Sequence, residues 1–182
     1  MWIEAEDPKK LLRLNHALDV LGLLDPEDKF EIADVLLGRG IGLQPIIDLY
    51  IDREARDEQS SALLSEAARQ VGVGADSKDD AARRLVRHVM ESMLAGHYSP
   101  FYGLGWLYEI LVDAPNADTD YVWGGYDCAA CCGLYWDYEE GPVGRRPSRV
   151  VPLTASEQAL AVEIDAVVIK EAAAWLARNP LD

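Results

Sequence analysis

Apolar residues recur at helical spacing along most of this chain. Asp7-Pro8 and Asp25-Pro26 each place a capping carboxylate before a proline at the first helical position, where the missing N–H costs nothing. Apolar residues then follow three and four positions apart, first Leu11, Leu14, Ala17, Leu18 and Leu21, and then Phe30, Ala33, Leu36 and Leu37. Gly38 and Gly40 end the second run. The pattern predicts two helices joined as a hairpin.

Four further helix starts follow. A helix is predicted from Pro45, and the apolar pattern of residues 60–71 either continues it or begins again after a kink. The Ser77–Asp80 segment resembles a capping box, and Ser99-Pro100 begins another helix. A full capping box starts the last helix, which runs from Thr154 to about Arg178. Its apolar stripe is Leu160, Ile164, Val167, Val168, Ala172, Trp175 and Leu176. We expect so apolar a helix to pack at the centre of the domain.

Residues 114–152 interrupt this rhythm. They contain the prolines Pro115, Pro142, Pro147 and Pro152, and three glycines precede Leu134. The pieces 121–123 and 134–136 favour strands, whereas proline and glycine loosen either kind of regular element. The sequence therefore predicts an all-α, single-domain helical bundle of about six helices over residues 1–182. An irregular excursion near residues 114–152 has room for one short hairpin.

Length and composition place the chain among globular proteins with one core. It has 182 residues, of which 49% are hydrophobic. Its first twenty residues lack the pattern of a secretory leader, and no stretch approaches the roughly 20 apolar residues that cross a bilayer. Three cysteines within five positions make a poor disulfide framework, because an odd thiol stays unpaired. We therefore expect a cytoplasmic protein without a membrane partner.

The charge of the chain is acidic and unevenly placed. There are 32 Asp and Glu residues against 17 Lys and Arg, with a formal net charge of −15. Such a balance argues against a nucleic-acid partner, because phosphate binding uses clustered cations. Residues 88–144 contain no Lys or Arg, but they contain nine carboxylates and eleven of the fifteen aromatic residues. This acidity has two possible explanations. It either keeps the protein soluble, as in a cytoplasm of high salt, or it makes residues 88–144, called the acidic window, a binding surface for a basic partner.

The uneven charge favours a partner. Aromatic side chains supply contact area at protein interfaces, and carboxylates attract a cationic partner. We predict an acidic protein-binding or inhibitor protein that neutralises a basic protein, with an immunity-type antitoxin as its most concrete form. We also expect the carboxylates of the window to lack cationic neighbours. The predicted partner-binding residues are Asp118, Asp120, Trp123, Asp127, Trp136, Asp137, Glu139 and Glu140.

All three cysteines lie in one aromatic segment, YVWGGYDCAACCGLYWDY, at residues 121–138. This segment resembles the nucleophile region of the NlpC/P60 cysteine peptidases, where Trp-Gly-Gly precedes Asp-Cys-Ser-Gly-Leu at a helix start. Asp127-Cys128 matches the acid–thiol pair, and residues 131–134 match the remainder with cysteine in place of serine. The resemblance implies a cysteine-dependent hydrolase. Its catalytic histidine should follow the cysteine, whereas all three histidines here precede it, so only a permuted arrangement with His97 as base fits.

Two other interpretations of the cysteines remain open. Cys128-x-x-Cys131 is half of a tetrahedral zinc site that Cys132 or His97 would complete, giving a zinc-stabilised structural module, but a second ligand pair is missing. The simpler interpretation is that the thiols pack as ordinary core residues. We favour the latter and assign no catalytic residue, no metal and no cofactor.

Overall fold

The computed structural model describes residues 2–73, 77–112, 126–140 and 155–180. Within these ranges the chain forms eight α-helices and no strand, so the all-α prediction is confirmed, although about six helices were expected. The helices are α1 (Pro8–Leu21), α2 (Pro26–Gly38), α3 (Gln44–Ile51), α4 (Asp57–Gln70), α5 (Lys78–Leu94), α6 (Pro100–Val112), α7 (Ala129–Glu140) and α8 (Ala155–Arg178). None of them combines the length and apolar character needed to cross a membrane.

The chain divides into two compact units, residues 1–85 and 86–182. Helices α1 to α4 belong to the first unit, and α6 to α8 belong to the second. Helix α5 contributes its first part to one unit and its remaining turns to the other. The single-domain assignment stays a prediction.

The helix starts in the first unit follow the local sequence signals. The Asp7 carboxylate accepts a hydrogen bond of 3.0 Å from the backbone N–H of Lys9, and a proline follows the cap. Asp25 and Asp28 form a reciprocal capping box at the start of α2. Both Asp-Pro predictions are therefore confirmed. Helices α3 and α4 are separate, which settles whether residues 60–71 continue the third helix.

A polar contact lies within the packed core of the first unit. The Lys29 side chain on α2 is only 1% exposed, and its ammonium group lies 2.8 Å from Asp19 of α1 and 2.5 Å from Asp57 of α4. It also donates to the Ser61 hydroxyl at 2.7 Å, and that hydroxyl donates to Asp19 at 2.9 Å. Burial works against the charged form of Lys29, but these carboxylates outweigh burial and raise its pKa. One buried ammonium group therefore joins three helices.

Helices α6, α7 and α8 pack against one another in the second unit. Their buried side chains include Leu104, Leu107, Ile110, Val168 and Trp175. A glycine permits close packing between α5 and α6, because a Cβ atom on Gly103 would lie 2.3 Å from the Met93 sulfur. Helix α6 thus has no room for a side chain at this position.

Two sequence predictions for the second unit are wrong. Residues 134–136 lie inside α7, although they were expected in irregular or strand-like structure. Strand propensity depends on context, and Tyr135 is placed here by packing on α6. Helix α8 is not wholly central either, because Leu160 and Val167 from its apolar stripe are exposed. The rest of the predicted excursion, residues 114–125 and 141–152, lies outside the described residues.

Candidate functional site

Three aromatic rings form a cluster where α6 meets α7. The rings of Tyr108 and Tyr135 are stacked, with centroids 5.2 Å apart and planes 4° from parallel. Trp136 contacts Tyr135 edge-on, with a centroid distance of 5.5 Å. Such pairs add about 0.5–1.5 kcal/mol beyond the area they bury. Trp136 is nevertheless 45% exposed, so the cluster presents a supported indole to solvent.

Carboxylates follow two of these rings directly in sequence. Glu109 follows Tyr108 on α6, Asp137 follows Trp136 on α7, and both side chains are exposed. Neither forms an ion pair with any residue that the structure describes. We use the name acidic aromatic surface for the three contacting rings together with the exposed carboxylates next to them in sequence, that is, for Tyr108, Glu109, Tyr135, Trp136 and Asp137. It can attract a cationic group by charge and contact it through aromatic area.

Sequence reasoning found only part of this surface. Trp136 and Asp137 were predicted, whereas Tyr108, Glu109 and Tyr135 were missed. The stacking of Tyr108 on Tyr135 depends on the packing of two helices that are separated along the chain. No local sequence pattern in either helix predicts that contact. The aromatic content of residues 88–144 was the one available hint.

Asp127 has a cationic neighbour, and its predicted role in binding a partner stays a prediction. Its carboxylate lies 2.7 Å from the Arg178 guanidinium near the end of α8 and accepts a longer hydrogen bond of 3.4 Å from the Asn179 amide. The expectation that it has no cationic neighbour is therefore wrong. Its φ angle of 57° is the one left-handed value among the described residues other than glycine. Asp127 belongs to a contact that attaches the start of α7 to α8.

The remaining predicted residues lie wholly or partly outside the description. Asp118, Asp120 and Trp123 are outside the described residues. Glu139 and Glu140 lie in the last turn of α7, but their side chains are not among those described. Of the eight predicted partner-binding residues, Trp136 and Asp137 are thus the two whose side chains lie on the acidic aromatic surface.

Cys128 lies directly before α7, Cys131 and Cys132 lie in its first turn, and the three side chains are mostly buried. Cys128 and Cys131 are each 1% exposed, and Cys132 is half-buried. Burial is the main cause that raises the pKa of both thiols, for Cys131 to about 12, and neighbouring acidic groups add to it. The Cys128 thiol donates to the Tyr126 carbonyl at 3.4 Å. Both thiols therefore stay protonated near neutral pH, whereas nucleophilic catalysis needs the thiolate.

The described residues offer no metal site of the usual kind. No three or more of their histidine, cysteine and acidic side chains are grouped so that they could hold an ion. The described residues therefore give no support to the zinc-stabilised module. Cys128 and Cys131 behave as core residues, which agrees with the simplest interpretation of the sequence.

Comparison with known proteins assigns the chain to no family. No protein-family model, no curated protein and no solved structure matches it.

Proposed function

We propose that this chain is a protein-binding inhibitor, of the immunity type, that neutralises a basic partner protein in the cytoplasm. The observation that carries the proposal is the exposed indole of Trp136, supported by Tyr135 and followed by an exposed carboxylate without a described ion pair. Tryptophan and tyrosine dominate the binding energy of protein interfaces, and they lose little rotamer entropy when they bind.

Charge supports a basic partner rather than a nucleic acid. The window that contains both Trp136 and Asp137 has no Lys or Arg, so it would repel phosphate. It would attract a cationic protein and accelerate its association. The protonated, buried thiols of Cys128 and Cys131 give no support to a cysteine-dependent hydrolase.

Capture of a partner from a lysate of the native host tests the proposal when wild-type protein is compared with two variants. The first replaces Asp137, Glu139 and Glu140 together by their amides, and the second is Trp136→Ala. A stoichiometric basic protein should be retained by the wild type. Its association rate should fall steeply with salt, because the Debye length is about 10 Å at 0.1 M.

The two variants should affect different rates. The triple amide change should slow association, because it removes long-range attraction. Trp136→Ala should mainly speed dissociation, by about 30-fold for a buried anchor worth about 2 kcal/mol. Amide changes at Glu27, Glu54 and Glu58, which are exposed carboxylates of the first unit, provide a control of equal charge. If binding depends neither on salt nor on the triple change, the acidity of residues 88–144 only aids solubility.

A further inference from the structure

Helix α8 has two apolar faces. One face is buried in the second unit and consists of Ile164, Val168, Ala172 and Trp175. The other carries apolar residues into solvent, because Val162 is 67% exposed and Ala166 and Ala173 are also exposed. A helix that packs on its own unit through one side needs only one apolar stripe. The described residues therefore leave most of the second stripe uncovered, although its Ile169 is half-buried.

The second stripe has the spacing of a helix–helix seam. Val162, Ala166, Ile169 and Ala173 are separated by four, three and four residues, which keeps them on one side of the helix. We call these four residues the outer seam of α8. Large and small side chains alternate along it, since valine and isoleucine each precede an alanine. Such an order suits a partner on which large residues face small ones.

Two opposite charges lie beside the outer seam. Glu163 directly follows Val162, Lys170 directly follows Ile169, and both are exposed. Neither takes part in an ion pair within the described ranges. Seven residues separate them, so they lie along the same edge of the helix but too far apart to pair with each other. Each can pair with an opposite charge on a docked helix.

A second copy of α8 that runs antiparallel to the first offers a small side chain for each large one and an opposite charge for each charged residue. With the two-fold axis level with the bond between Val167 and Val168, Val162 faces Ala173 of the second copy and Ile169 faces Ala166 of the second copy. The same axis brings Lys170 of the second copy to within two residues of the level of Glu163, about 3 Å along the helix, which long side chains can span, and symmetry forms that pair twice. A parallel arrangement would instead place each seam residue opposite itself and would lose the match between large and small side chains.

We propose that the outer seam of α8 is the interface of an antiparallel, two-fold homodimer. A second copy suits this face better than the basic partner proposed above, because Glu163 and Lys170 leave the edge of the seam neutral while the acidic window lies elsewhere in the chain. Four seam residues on each copy make a small interface, so the dimer forms at micromolar or higher protein concentration. The dimer does not depend on the proposed inhibitor function.

Sedimentation equilibrium with charge exchange tests the interface. Wild-type protein should dimerise as its concentration rises. Glu163→Lys alone and Lys170→Glu alone should each weaken dimerisation by about tenfold or more, because each places like charges opposite one another twice. The double exchange E163K/K170E should restore the dimer. Glu54→Lys, at an exposed position of the first unit, is the control for altered net charge.

Disulfide trapping tests the orientation. Val162→Cys protein mixed with Ala173→Cys protein should form crosslinked dimers under mild oxidation, whereas neither variant alone should do so beyond the wild-type level. Crosslinking of Val162→Cys with itself would overturn the antiparallel arrangement. A wild type that stays monomeric at all concentrations, or single reversals that dimerise normally, or a double exchange that fails to rescue, would overturn the proposal. Circular dichroism of each variant confirms that α8 remains folded.

Discussion

The indole N–H of Trp175 donates a 2.9 Å hydrogen bond to the backbone carbonyl of Tyr126, although 49 residues separate them. Both side chains are buried, so the carbonyl is satisfied by this donor and by the longer, weaker contact from the Cys128 thiol rather than by bulk solvent. The bond joins α8 to the segment that precedes α7.

Trp175→Phe should destabilise the protein by about 1–3 kcal/mol, because it removes the donor and leaves the Tyr126 carbonyl under-bonded in the interior. Urea denaturation measures the loss. Trp136→Phe is the matched control, since Trp136 is half-exposed and its indole N–H has no described acceptor; its change should stay within about 0.5 kcal/mol. Equal losses in both variants would contradict the role given to the hydrogen bond.

Gly103→Ala should cost about 1–3 kcal/mol, because the new Cβ atom would lie 2.3 Å from the sulfur and 2.5 Å from Cγ of the buried Met93. Gly105→Ala, two residues along the same helix, meets nothing within 4 Å and should be neutral or stabilise by about 0.5–1 kcal/mol. Thermal unfolding of the two variants separates packing from helix propensity. Adding Met93→Ala to Gly103→Ala should recover part of the packing cost, and a strictly additive result would refute the predicted contact.

Lys29→Met should cost about 3–5 kcal/mol, because it leaves the buried Asp19 carboxylate without its ammonium partner. Lys10→Met, an exposed position on α1, is the control and should change stability by less than about 0.5 kcal/mol. Combining Lys29→Met with Asp19→Leu should recover much of the loss, since no uncompensated charge remains. Failure of that rescue would mean that Lys29 acts by packing alone.

His16 should make the protein less stable at mildly acidic pH. Its imidazole is buried in the first unit, and burial, with a further contribution from Arg84, lowers its pKa below 6.5 although Asp19 opposes the shift. The unfolded chain takes up a proton near pH 6.5, whereas the folded one resists. The stabilising contribution is therefore complete above pH 6.5 and is lost as the pH falls towards the lower folded-state pKa. Urea titrations between pH 7 and 5 should show a steeper decline for wild type than for His16→Gln; parallel declines would contradict this.

The thiols should differ in reactivity. Iodoacetamide at neutral pH should modify Cys132 before Cys128 or Cys131, because the last two are buried and their pKa values are raised. Mass spectrometry of peptides from native and urea-unfolded protein measures the order, and all three should react after unfolding. Rapid native labelling of Cys128 would instead favour the hydrolase that the NlpC/P60 resemblance implies.

Local chemistry accounts for what the sequence predicted well. The cap at Asp7 and the capping box at Asp25 involve residues only two or three positions apart, so these helix starts could be predicted from the local sequence. Helix α7 was missed, because its placement depends on Tyr135 stacking on Tyr108 and on Trp175 reaching Tyr126. The cationic partner of Asp127 was missed for the same reason, since Arg178 is 51 residues away.

Asp127 has a left-handed backbone conformation, and its carboxylate links the start of α7 to the end of α8. These two helix ends should therefore unfold together. A non-glycine residue in this conformation costs free energy, which the contacts of its carboxylate with Arg178 and Asn179 offset. Helix ends ordinarily fray with little cost, but fraying here would break the contacts of Asp127 with Arg178 and Asn179 and would expose the buried Cys128 thiol. Amide protons in the last turn of α8 and at the start of α7 should therefore exchange with solvent together and slowly, rather than as two independent loose ends.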